Sequence, residues 1–177
     1  MNSDNFSWPV LSQVLGKPLS SSEVGDFFYR RNVDVSSLWQ PVEIGVVPSR
    51  NRTRELVDTR RIDLKEVCGV TLEFKTAHLL HGFESLGSEF VFSAITYFAD
   101  GEDAAVAFEG QLPFLLSFSD TDVMVEAKVS APTRGTGATT DQSYFFRSWN
   151  QDKYILHAIF RTATSKLRRL ICYCPVK

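Results

Sequence analysis

His78 and His81 stand in the stretch TAHLLHGF with Glu73 upstream, and two imidazoles at that spacing can share a metal ion when a helix carries them. Here a strand-like run lies on one side and Gly82 on the other, and no third ligand recurs at a recognisable interval. The segment reads as a loop with partly exposed histidines. His157 alternates with Ile155 and Ile159, a strand pattern in which a histidine is more often packed at a rim than used as a base. Cys172 and Cys174 flank Tyr173 and so share one strand face. A CxC pair can take a soft metal, but zinc sites ordinarily recruit a second pair, which Cys68 alone does not supply. Buried thiols in a phenylalanine-rich interior are the expectation.

Nucleophilic and phosphate chemistry fare no better. Ser119-Asp120 brings a hydroxyl beside a carboxylate, yet no GxSxG elbow exists to strain a serine into position. No Walker loop or GxGxxG occurs, and Gly135-Thr136-Gly137 is too short and follows no strand. The cluster SDTD at 119–122 reads as helix initiation rather than a pair of acid/base carboxylates. No catalytic, cofactor or metal residue is assigned, and the chain is read as a non-enzyme. One charge cluster remains, Arg50, Arg52, Arg54, Arg60 and Arg61, interrupted by Glu55, Asp58, Asp63 and Glu66. Its mixed sign suits a solvated insertion loop or a protein contact better than a nucleic-acid stripe.

The elements that would position these residues follow from periodicity. Ser20 with Glu23 fits a capping box opening a helix through Val24, Phe27, Phe28 and Arg31, which Asn32 closes. Residues 33–48 read as a loop or irregular strand lying on the core through Leu38 and Trp39. Strand-like runs follow at 67–74, 89–99 and 104–108, with Asp100-Gly101 as a hairpin signal that makes the last two antiparallel neighbours. A second helix, capped by Ser119 or Asp120, presents Val123, Ala127 and Ser130 as one stripe with Met124 beside it. Three more strands, at 143–149, 153–161 and 167–174, complete the chain.

SSSEV at 20–24 resembles SDTDV at 119–123, CGVTLEF at 68–74 resembles YILHAIF at 154–160, and FSAITYF at 92–98 resembles LRRLICY at 167–173. The fold class is therefore α+β: two related helix-plus-antiparallel-strand units, about 11–108 and 109–177, form one sheet with both helices on one face. A single domain suits 177 residues, and 14 phenylalanines supply large rings for its core. Net charge of −2 gives no field that would select nucleic acid. The N-terminal MNSDN has no signal-like pattern, nowhere is there a membrane-spanning apolar run, and three cysteines suit a reducing compartment. A soluble, cytoplasmic protein is expected.

Several of these stretches resemble a known group. Gly69 to Phe74 matches a GV-x-L-x-F strand end. Glu109 to Val125 matches an EG-x-LP-x-x-L-x-F-S-x-[ST]-x-x-x-V helix entry, and Trp149 to Phe160 matches W-x-x-D-x-Y-x-L-x-x-x-F. Together with Leu15-Gly16-Lys17-Pro18, they resemble bacterial immunity proteins of interbacterial toxin systems, with the tandem helix-plus-sheet arrangement of beta-lactamase-inhibitor-like proteins. The chain departs from that pattern at Val129-Ser130-Ala131-Pro132 and in the Arg-rich insertion. The resemblance implies an inhibitor that binds a cognate toxin domain and blocks its active site or substrate groove, with no direct nucleic-acid or membrane partner. The contact candidates are Arg50, Arg52, Arg54, Arg60 and Arg61, then Trp39, Glu102 and Asp103. The alternative is an adaptor module that binds protein without inhibiting it.

Overall fold

The computed structural model describes residues 3–39, 58–137 and 142–177. Arg50, Arg52 and Arg54 lie outside them. Four α-helices are described: α1 (Trp8–Leu11), α2 (Ser22–Arg30), α3 (Lys65–Cys68) and α4 (Asp122–Val129). Seven strands form one antiparallel sheet: β1 (Thr59–Leu64), β2 (Val70–Thr76), β3 (Phe90–Phe98), β4 (Arg134–Gly135), β5 (Tyr144–Asn150), β6 (Ile155–Arg161) and β7 (Leu167–Tyr173). The α+β class read from the sequence is the class observed. Among the described residues no helix is long and apolar enough to cross a membrane.

The strand order β1-β2-β3-β7-β6-β5-β4 joins two meanders at their third strands. The sequence repeat matches second strand to second and third to third. Its alignment of 92–98 with 167–173 also predicts the central register. Ile95 pairs with Cys172 and Tyr97 with Leu170, two pairs that exchange under that alignment, while Thr96 pairs with its own equivalent, Ile171. A local two-fold axis thus passes between Thr96 and Ile171. Each unit also carries one β-bulge, at Ser93 in β3 and at Arg168 in β7, and these are equivalent positions as well. Each bulge falls beside a fully buried phenylalanine, Phe74 in β2 and Phe160 in β6.

Period-2 alternation sends Val70, Leu72, Phe74, Ile95, Tyr97, Leu170, Cys172, Leu156 and Phe160 to one face. Both longer helices cover that face. α2 is capped by Ser21, whose hydroxyl accepts from the Val24 amide, one residue later than Ser20, and Glu23 pairs with Lys17 instead of closing a capping box. Its apolar side drives Phe28 against Phe74 and Phe92. Asn32, at φ 54°, ends it as expected. α4 is capped by Thr121 rather than Ser119 or Asp120. Its expected stripe is also wrong: Val123 and Met124 are exposed, while Val125 is fully buried and Val129 packs on the core. The cause is Arg147 of β5, which reaches Asp122 and Glu126 and turns that side of the helix inward. Asp120 is spent locally, accepting from the Ser117 amide and from Lys128.

The run 104–108 forms no strand, although Phe108 donates to the Phe98 carbonyl as a neighbour would. It crosses Gly69 instead, where φ is 69° and an added Cβ would lie 2.5 Å from the Phe108 nitrogen and the Val106 oxygen. Only glycine accepts that approach. The run expected as a strand from Val67 begins as the short helix α3 and becomes β2 at Val70.

Two outcomes test this core. Phe160→Ala and Phe74→Ala should each lower unfolding free energy by about 3–5 kcal/mol in chemical denaturation, matched within error because the sites are equivalent. Tyr97 is fully buried and its hydroxyl has no hydrogen-bond partner among the described residues, so Tyr97→Phe should raise stability by about 1 kcal/mol.

Candidate functional site

The opposite face of the sheet carries the alternate residues of the same strands: Arg61, Asp63, Thr71, Glu73, Lys75, Ala94, Thr96, Arg169, Ile171, Tyr173 and His157. It forms a concave depression of about 470 Å³ over β1, β2, β3 and β7. Ion pairs across neighbouring strands hold its charges in place. Arg61 Nη2 lies 2.7 Å and Lys75 Nζ 3.1 Å from the carboxylate of Glu73. Lys65 Nζ lies 3.3 Å from Asp103 and 3.8 Å from Asp63, and Asp63 also accepts from Thr71. Toward β6 and β5 the face turns apolar, with half-buried Ile171, Tyr173, Ile155, Ile159 and Phe146.

The predicted contact residues are dispersed. Arg60 and Arg61 belong to β1, not to an insertion loop, and as consecutive strand residues they face opposite ways. Arg61 lines the depression, whereas the Arg60 guanidinium lies 4.9 Å over the Phe90 ring. Trp39 ends a short 3-10 turn over Ser36–Trp39. Asp103 is exposed on the rim, in a left-handed turn at φ 54°. Glu102 is different: it is 4% exposed and binds Arg169 at 3.0 Å, Arg168 at 3.5 Å and the Tyr144 hydroxyl at 3.3 Å. It is an internal anchor that fixes two arginines, rather than a group available to a partner. Lys75, Arg169 and Tyr173 were not singled out in the sequence. Their signal was the alternation within VTLEFKT and LRRLICY, which separates two faces without saying which one is covered.

The other chemical candidates take structural places. His78 and His81 are exposed in a turn and the loop after it, and His78 Nε2 stands 4.0 Å from Asp58. Among the described residues no group of three or more His, Cys, Asp or Glu is placed to hold a metal ion. Cys172 belongs to the main core and Cys174 to a small satellite cluster with Ala77, Leu80 and Val91. Burial pushes the Cys172 thiol well above its usual range and Cys174 up to about 11, which suppresses thiolate reactivity. His157 Nδ1 lies 2.7 Å from the Ser148 hydroxyl and its ring 4.9 Å from that of Phe146.

No family model, no curated protein and no solved structure matches the chain.

Burial lowers the His157 pKa from its ordinary 6.5, so the unfolded chain takes up this proton first as pH falls. The stability contributed by neutral His157 is therefore complete above pH 6.5 and is lost as pH drops below it. His157→Gln should flatten the fall in unfolding free energy measured by urea titration between about pH 7 and about pH 5, relative to the parent.

Proposed function

We propose that the chain is an immunity-type protein of the bacterial cytoplasm that binds and neutralises a cognate toxin domain, covering the toxin's active site or substrate groove with its open sheet face. The observation that carries this reading is the construction of that face. Its long charged side chains are already paired across strands, as in Arg61–Glu73–Lys75, so little rotamer freedom remains to be lost on docking. Beside them Tyr173, Ile171 and Phe146 offer half-exposed apolar surface, the pairing of anchors and polar rim found in protein interfaces. The motifs around Gly69–Phe74, Glu109–Val125 and Trp149–Phe160 support the class on which this reading draws.

The test is growth rescue. Co-expressing the chain with toxin domains from its own genetic locus should restore growth for one of them, and rescue should be lost or reduced with Arg61→Ala or Tyr173→Ala. Each substitution should weaken the purified complex by about 1–2 kcal/mol. Val123→Ser, on the helix-covered side, should leave affinity unchanged. Full rescue by both open-face variants would remove the assignment of this face.

A further inference from the structure

The depression exists because small side chains on the central strands sit between long ones on the flanks. Thr71, Ala94 and Thr96 form its floor, while Arg61 and Lys75 rise on one side and Arg169 on the other. The charges of these flanks do not cancel. Arg61 and Lys75 share the single carboxylate of Glu73. Arg168 and Arg169 share the single, 4% exposed carboxylate of Glu102, and Arg169 Nε is buried with no hydrogen-bond partner among the described residues. Each flank therefore holds one cation more than its own carboxylate neutralises. In a chain of net charge −2, these are two local positive sites on one face.

We propose that the depression docks an extended acidic segment of a partner protein, one carboxylate meeting Arg61 and Lys75 and a second meeting Arg169; this rests on the toxin-neutralising reading above. Charge complementarity selects the occupant, since an anion gains from both surplus cations while a basic segment would have to displace Glu73 or Glu102. The spacing follows from register. Glu73 pairs with Ala94 and Ala94 with Tyr173, so β7 lies two strand spacings from β2, about 10 Å. Arg169 lies further along β7 from Tyr173 by about 13 Å at the rise of a strand. The diagonal is about 16 Å, and an extended chain with acidic side chains at i and i+4 covers about 13 Å of it, leaving the rest to the reach of the long cationic side chains. Ile171 and Tyr173 then lie under the residues between.

A labelled peptide with glutamates at i and i+4 in a serine–valine background, and its lysine counterpart, are titrated into the full chain. The glutamate peptide should bind saturably, with affinity falling steeply as salt is raised, a readout that needs no variant. Lys75→Gln and Arg169→Gln should each weaken it about tenfold, with folding checked by thermal melting. Equal binding of the lysine peptide, no saturation up to about 1 mM, or unchanged affinity in both folded variants overturns the inference. The same variants separate it from the reading it rests on. Rescue retained by variants that no longer bind the peptide sinks the acidic-segment docking alone. Failure of the parent chain to rescue removes the neutralising role, while the titration still decides whether the depression takes acidic chains.

Discussion

The antiparallel pairing of β3 with β7 through Thr96 and Ile171 is the constraint on which the rest of the molecule depends. Neither meander buries enough surface to stand alone, and three strands with one apolar face need a covering layer. Joined at this seam, the two units set Ile95, Tyr97, Leu170 and Cys172 in one continuous apolar field, over which α2 and α4 close a single core. A slip of one residue at the seam would turn that field outward and draw Arg169 inward. The seam also carries the two bulges to equivalent places, so that Ser93 satisfies the Glu73 carbonyl in one unit and Arg168 reaches Glu102 and the Asp100 carbonyl in the other.

Function and stability divide between the two faces. On the covered face, apolar burial stabilises the fold by roughly 25 cal/mol for each Å² removed from water. On the open face, partly exposed pairs such as Arg61–Glu73 contribute about 0–1 kcal/mol each, too little to explain why so many charges are placed there for the fold's sake. Glu102 is the exception, since its burial makes its arginine partners necessary to the fold itself. A sheet that leaves one face concave, with charges oriented in advance, is suited to recognition because little is left to order when a partner arrives.

Much of this architecture was legible in the sequence. Helix caps, the phenylalanine-rich alternation and the internal repeat identified the two units, and the repeat alignment even carried the seam register. What escaped reading has specific causes. The crossing of 104–108 over Gly69 is a tertiary approach with no local signature beyond the glycine itself. The orientation of α4 was decided by Arg147, a residue of a different element, against the helix's own apolar pattern. The site was the least visible part, because Arg61, Lys75 and Arg169 meet only after four strands are laid side by side. Arg60 and Arg61 look like one cluster in sequence, and strand geometry separates them.

The claim that the open sheet face is the docking surface can be tested most directly by lysine labelling of the chain, free and in complex with the toxin domain it neutralises, read by mass spectrometry. Lys65 and Lys75 border the depression, while Lys128 lies on α4 over the covered face. The account predicts that complex formation shields Lys65 and Lys75 and leaves Lys128 reactive. Shielding of Lys128 with Lys65 and Lys75 still labelled would contradict it.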